Sequence, residues 1–224
     1  MSTANIAYGY QRPWARTELW DLFCPAVSNE DDIRGAVEPG GKIFFVQWSS
    51  RLPADILRDY ECVGFHMTDL PYGRGGNPLQ NLILHGKNET CITAFRVTEE
   101  LDAGPVYLKS ESFSILGQAE MVYRDVAQRC FIMAVKILVE RSEPKPQDGE
   151  VVTFSRVASR NPFDYASLEE AKRVIDMWDA SGYEPASITI GRFKIEFSDS
   201  CLALGTEQEE DELYTKVRIT RCKS

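Results

Sequence analysis

His66 and His85 are the only histidines in the chain, and histidine is the side chain whose ordinary pKa lets it take up and return a proton near neutral pH. His66 lies in a short apolar run, Cys62 to Met67, that reads as a buried strand. A loop rich in glycine and charge follows, with Asp69, Tyr72, Gly73, Arg74, Gly75 and Gly76. It ends in Asn77-Pro78-Leu79-Gln80, a helix start: Asn is a preferred N-cap, Pro suits the first helical position, and Gln at the third can complete a capping box. In an α/β domain, a strand feeding a helix through such a loop is where ligands usually bind. Further on, Leu101-Asp102-Ala103-Gly104-Pro105 puts a carboxylate in a tight loop. A carboxylate beside a histidine fixes its tautomer and supports the imidazolium, which suits general acid–base work. The residues alone favour plainer roles. His66 then ends a strand with its ring satisfied by backbone, and Asp102 caps the turn before Gly104-Pro105. His85 is a surface group at a helix C-terminus, and Arg74 is a solvated loop arginine.

These loops need a scaffold, and the rest of the chain reads as one. Asn5–Gly9 is a short strand, Arg12-Pro13-Trp14 a turn, and Thr17–Leu22 a short helix. Asp31–Val37 is a helical or irregular link closed by the breaker Pro39-Gly40-Gly41. Lys42–Trp48, KIFFVQW, is apolar nearly throughout, as for a strand covered on both faces. A helix follows over Ala54–Arg58, and the helix of the central stretch stops at Gly86. Cys91–Thr98 and Val106–Ser114 read as strands. In the long helix Gln118–Glu140, residues Val122, Val126, Cys130, Met133 and Ile137 form one apolar stripe for the core. Val151–Arg156 is a strand or an extended link. Ser167-Leu168-Glu169-Glu170 is a capping box, opening a helix that buries Ala171, Val174, Ile175 and Trp178 and ends at Gly182. Ser187–Ile190 and Arg192–Ser198 form a hairpin around Gly191, Glu207–Glu212 is a solvated acidic turn, and Leu213–Arg221 returns as a last strand. The expected fold is α/β with a mainly parallel sheet: residues 1–160 as the main domain, residues 161–224 as a small helix and hairpin region.

Composition narrows the function. The chain has 224 residues, 43% of them apolar, enough for a real core. Its net charge of −9 is unfavourable for a protein that tracks nucleic-acid phosphates. The six cysteines are scattered with no CxxC pair, so buried free thiols and a reducing compartment are expected. No segment resembles a signal peptide or spans a bilayer, and no metal-ligand set is apparent. The expectation is a soluble cytoplasmic protein that binds neither nucleic acid nor membrane.

Three pieces in order resemble the folate-dependent formyltransferases, the family of methionyl-tRNA, glycinamide ribonucleotide and sugar-nucleotide N-formyltransferases. KIFFVQWSSRLP resembles the family's apolar strand ending in an L-P turn. FHMTDLPYGRGGNPLQNLI resembles its N-x-H-x-S-x-L-P-x-x-R-G-x-x-P-x-Q segment, and TAFRVTEELDAGPVYLK its strand and D-x-G-P loop. They cover roughly residues 40–140, and their order makes the match specific. The resemblance implies a trimmed Rossmann-like formyltransferase fold, since only about forty residues precede KIFFVQW. It also implies a chemistry: a neutral amine attacks the formyl carbon of N10-formyltetrahydrofolate, and a histidine steadies the resulting oxyanion and moves protons. An aspartate of the D-x-G-P loop pairs with that histidine and a relay water. Those roles fall on His66 and Asp102. The pterin is expected against the backbone of Ser50, Arg51 and Leu52 and of the loop from Val97 through Leu101 to Asp102. Asp69, Tyr72 and Arg74 are expected to meet the acceptor, with Arg74 suited to a phosphate or carboxylate.

One departure matters: the family's asparagine, two residues before the histidine, is Gly64 here. Losing one oxyanion donor costs about 2.7–4 kcal/mol. Gln47 is the first choice to replace it, ahead of Asn81 and Thr68, because adjacent parallel strands end on the same sheet edge. The acidic charge speaks against a tRNA acceptor, and the LPYGRGG loop with a short tail resembles the sugar formyltransferases, nearest to the branch of pseudaminic-acid-type biosynthesis, with a UDP-4-amino-4,6-dideoxy-N-acetyl-altrosamine type of acceptor. Two other readings stay open: a formyltransferase for another small amine, and a non-catalytic folate- or nucleotide-binding relative. The apolar strands of the tail are equally suited to cap the core or to form a homodimer contact.

Overall fold

The computed structural model describes residues 4–205 and 211–222, so most of the acidic run that starts at Glu207 lies outside the described residues. In chain order the elements are β1 (Ala4–Tyr10), α1 (Glu18–Phe23), β2 (Ala26–Val27), α2 (Glu30–Ala36), β3 (Val37–Val46), α3 (Ala54–Asp59), β4 (Glu61–His66), β5 (Tyr72–Gly75), α4 (Pro78–Leu84), β6 (Glu89–Thr90), β7 (Thr93–Arg96), β8 (Val106–Lys109), β9 (Phe113–Ser114), α5 (Ala119–Glu140), β10 (Val152–Phe154), α6 (Leu168–Asp176), β11 (Ala186–Ile190), β12 (Phe193–Ala203) and β13 (Glu212–Arg221). The chain divides into two compact units. The first comprises Met1–Pro78, Glu89–Ser114 and Tyr123–Arg156, and the second Leu79–Asn88, Ile115–Val122 and Val157–Ser224. Among the described residues no helix is long and apolar enough to cross a membrane.

The first unit holds a six-stranded sheet in the order β2-β1-β3-β4-β7-β8. The strands from β2 to β4 run parallel, and β7 and β8 are added antiparallel. The unbroken apolar run of β3 is explained by cover on both faces. On one side Ile43 and Phe45 pack with Ala7, Cys62, Ile33 of α2 and Ile56 of α3. On the other, Phe44 meets Trp20 of α1, which stacks on Tyr8, sets its edge against Phe131 of α5, and donates its indole N–H to the Ala127 carbonyl at 3.3 Å. Each fully buried side chain of this size stabilises the fold by roughly 1.5–3 kcal/mol.

Several expectations need correction. Pro39-Gly40-Gly41 does not close an element. It lies inside β3, where the register against β1 shifts between Ala4 and Ile6 and Gly40 takes a φ of +86°. The strand also stops at Val46 rather than Trp48, since Gln47 turns to a φ of +54°. The glycine-rich loop contains a strand, β5, paired in parallel with β10. The cysteines are all free, but only Cys62 and Cys130 are buried; Cys201 and Cys222 are exposed.

In the second unit, Ser167 caps α6 by accepting the Glu170 N–H at 3.2 Å. The Glu170 carboxylate accepts from Ala166 N–H rather than Ser167, so the box closes one residue early. The helix ends at Asp176, not at Gly182. The buried Asp176 carboxylate takes Lys172 and the Ser200 hydroxyl, and the chain then unwinds through tight turns. Gln80 does not close a capping box on α4 either: its amide donates to the Met177 carbonyl at 2.7 Å. The tail forms a three-stranded antiparallel sheet, β11-β12-β13.

One charged cluster pins four neighbouring strands. Glu61 at the start of β4 takes Lys42 of β3 at 2.9 Å, Arg96 of β7 at 3.3 Å and the Tyr107 hydroxyl of β8 at 2.6 Å. Burial works against ionisation of Glu61, but the Tyr107 and Lys42 hydrogen bonds and the charges of Lys42 and Arg96 outweigh it. The carboxyl therefore titrates below its usual range. Its contribution is complete above the unfolded carboxyl pKa and is lost as the pH falls through the depressed folded value. Glu61→Gln is expected to cost about 1–3 kcal/mol at neutral pH, with the deficit shrinking below about pH 4. Urea unfolding of both proteins across that range checks the sign.

Candidate active site

The parallel strands aim their C-terminal ends at one edge of the sheet, and β4 delivers His66 there. His66 is buried at 8% exposure. Its Nε2 stands 2.7 Å from the Gly73 carbonyl. A carbonyl can only accept, so in the neutral ring Nε2 carries the proton and Nδ1 keeps the lone pair. Nδ1 lies 3.6 Å from Asp102 Oδ2, and that same oxygen accepts the Gly75 N–H at 2.9 Å. The loop before α4 and the D-x-G-P loop thus meet at the imidazole. The close fit explains the glycines: a Cβ on Gly75 would lie 2.3 Å from the Phe154 carbonyl oxygen of β10. Asp102 itself has a φ of +51°, a backbone that costs a non-glycine residue on the order of 1–3 kcal/mol unless its surroundings hold it.

His66 and Asp102 line a cavity of about 340 Å³. Ser50, Arg51 and Leu52 from the loop after β3 line it too, as do Val97 and Leu101, so these expected binding residues come together. Phe45, Trp48 and Phe95 add apolar surface. Reading the sequence missed Gln11, which braces this wall: its carbonyl oxygen accepts from Ser49 N–H at 2.9 Å and Ser50 N–H at 3.2 Å, and its amide donates to the Ser50 hydroxyl at 2.8 Å. Among the described residues, no group of His, Cys, Asp and Glu is arranged to hold a metal ion.

Four expected residues lie outside this lining. Gln47 turns its amide to Met67 Sδ at 3.7 Å, because its left-handed backbone ends the strand before its side chain can follow the sheet edge. Asp69 is paired with Lys109. Tyr72 sets its ring edge-on to Phe154. Arg74 is not a free cation for a phosphate, since Gln147 takes its Nε at 3.1 Å and its Nη2 at 2.7 Å and Glu100 its Nη1 at 3.4 Å.

Beside the cavity, and sharing Ser49 and Ser50 with it, lies an open cleft of about 630 Å³ lined by Gln11, Arg12, Arg16 and Ser28. It follows the C-terminal ends of β1 and β3, on either side of the point where the connections reverse direction across the sheet, the usual ligand position of an open parallel sheet. Reading the sequence passed over these arginines because Arg12-Pro13-Trp14 shows only turn chemistry.

Gly64 also has a steric reason. A Cβ there would lie 2.9 Å from the Phe95 ring and 3.1 Å from Val97, so the ring of the neighbouring strand occupies the space a side chain would need.

A family model described as formyl transferase matches residues 27–141, just over half of the chain. A methionyl-tRNA formyltransferase of Rickettsia bellii is 25% identical over 171 residues, covering 70% of this chain and 55% of its own. The chain spans about half the length of the curated relatives it matches first. A solved methionyl-tRNA formyltransferase from Clostridium thermocellum superposes with a TM-score of 0.83 at 29% identity, over 96% of this chain and 98% of that one. A sugar N-formyltransferase from a Shewanella species aligns with a TM-score of 0.57 at 13% identity, over 81% and 91% of the two chains, a likeness of fold alone.

The Phe95 contact predicts that Gly64→Asn loses about 1–3 kcal/mol of stability by overpacking, and that adding Phe95→Ala recovers most of it. Chemical unfolding of the parent, the single and the double variant tests this; a single variant as stable as the parent would mean the ring yields freely.

Proposed function

Because the chain belongs to the formyl transferase family, we propose that it is a folate-dependent N-formyltransferase that moves the formyl group of N10-formyltetrahydrofolate to the amine of a nucleotide-linked amino sugar. The observation that carries the reading is the His66–Asp102 pair, with Nδ1 and Oδ2 3.6 Å apart in the wall of a partly open, partly apolar cavity. The cavity suits a pterin: it has aromatic surface, and the backbone of Ser50 to Leu52 and of Val97 to Asp102 offers donors and acceptors for a flat polar edge. Held there, the cosubstrate supplies the formyl carbon.

Formyl transfer forms one C–N bond, breaks another, and moves a proton from the attacking amine to the departing nitrogen. His66 Nδ1 has the lone pair to take that proton. Asp102 stabilises the resulting imidazolium and keeps its own place through Gly75 N–H. The Gly73 carbonyl holds the ring from the other side, so protonation needs no reorientation. Gln47 and Gly64 supply no side-chain donor to this wall, and the protonated ring is the donor we assign to the oxyanion.

The nucleotide-linked acceptor is supported by the cleft of Arg12 and Arg16, which shares two serines with the cavity and offers positive charge to a diphosphate. Arg16 also pairs with Asp21, which orients it. The net charge of −9 weighs against a tRNA acceptor. Bound at this edge, the sugar amine and the formyl carbon reach one imidazole.

His66→Ala is expected to fold and to lose formyl transfer by roughly 10²-fold or more, with binding of a non-transferable folate analogue little changed. Asp102→Asn should lower turnover more than folate affinity. Arg12→Ala should raise KM for the nucleotide sugar by roughly tenfold, about 1.4 kcal/mol, with a smaller change in kcat. Steady-state kinetics on the purified variants reads all three; a His66→Ala protein at parental rate would reject the assignment.

A further inference from the structure

Gln147 lies beyond the residues matched by the family model, yet its side-chain amide joins both loops that meet at His66. Its Nε2 donates to the Asp102 carbonyl at 2.8 Å and to the Gly104 carbonyl at 2.9 Å. Its Oε1 accepts from Arg74 Nε and Nη2. The amide therefore uses both N–H groups and its carbonyl on two loops far apart in sequence. The segment that carries it is fastened on each side. Lys145 exchanges backbone hydrogen bonds of 2.7 and 2.8 Å with Val106, and Val152 N–H reaches the Pro71 carbonyl at 3.2 Å.

The position of Asp102 makes this bracket useful. Its backbone is left-handed, at a φ of +51°, and such a conformation persists only where neighbours hold it. Hydrogen bonds to its own carbonyl and to that of Gly104 bind the loop on both sides of Ala103. Asp102 Oδ2 can then sit between Gly75 N–H and His66 Nδ1. On the other loop, Gln147 holds Arg74, the residue before Gly75.

We propose that Gln147 is a positioning residue for proton transfer at His66: its amide locks Arg74 and the Asp102 backbone together, and so fixes the distance from the carboxylate to the imidazole. The catalytic half of this proposal rests on the formyl-transfer reading; the bracing half does not. Two variants separate its bonds. Gln147→Glu keeps an acceptor for Arg74 but loses both donors to the loop carbonyls, and Gln147→Leu loses everything.

Both variants, as full-length proteins, are compared with the parent for thermal unfolding, for kcat and KM with N10-formyltetrahydrofolate and an amino-sugar nucleotide, and for hydrogen exchange at the Gly75 amide. The proposal expects folded proteins, kcat down roughly tenfold or more, KM for the folate within about threefold, and faster Gly75 exchange in both variants. A kcat or a Gly75 exchange rate equal to the parent's would overturn it, and so would a loss of activity that merely tracks the unfolded fraction. A parent without formyl transfer, but with Gly75 exchange that speeds up in the variants, would reject the formyl-transfer reading and support the bracing.

Discussion

The imidazole of His66 has one nitrogen committed to a backbone carbonyl and the other facing a carboxylate, and the local structure is arranged to keep it so. Gly73 can supply its carbonyl at 2.7 Å only because the chain after β4 doubles back into β5 and is held there by β10. Asp102 can supply its carboxylate only because its loop is fixed in a left-handed conformation against the same strand. The proton-bearing nitrogen is therefore set by what the backbone accepts, and the free lone pair by what remains. This is how a fold makes an ordinary histidine directional: by fixing its tautomer and its neighbour.

The sheet beneath serves that arrangement. Parallel strands end together, so β4 brings His66 to the edge where β1 and β3 open the arginine cleft and the serine loop closes the cavity. Aromatic packing on both faces of β3 keeps the strand in register, and Glu61 ties β4 to its neighbours at the opposite end. A slip of one residue in β4 would turn His66 to the other face. The Phe95 ring beside Gly64 shows the same economy of space, with one strand's glycine accommodating the next strand's aromatic group.

Much of this was legible in the sequence because it depends on local pattern. The apolar run of β3, the Cys62–Met67 strand, the D-x-G-P turn and the stripe of α5 are each coded by neighbouring residues. His66 and Asp102 are singled out by the resemblance of their two segments to the formyltransferase motifs; the residues alone favour a strand-end histidine and a turn-capping aspartate. The failures are non-local. β5 exists because β10, far along the chain, pairs with it. Arg74 looked solvated because Gln147 is equally distant. Gln47 was misjudged because continuing KIFFVQW as a strand gave no warning that its backbone turns at that residue. At the end of α6 the buried Asp176 carboxylate takes the Ser200 hydroxyl of β12, a partner that periodicity within the helix cannot reveal.

The most direct test follows a label. N10-[14C]formyltetrahydrofolate is incubated with the purified protein and, in separate reactions, a nucleotide-linked 4-amino sugar, the same sugar with its amine blocked, and methionyl-tRNA. The account predicts label in the free-amine sugar, at a rate that collapses in His66→Asn, and none above background in the blocked sugar or the tRNA. Label on methionyl-tRNA but not on the sugar would contradict the acceptor, and label transferred equally well by His66→Asn would contradict the role of the imidazole.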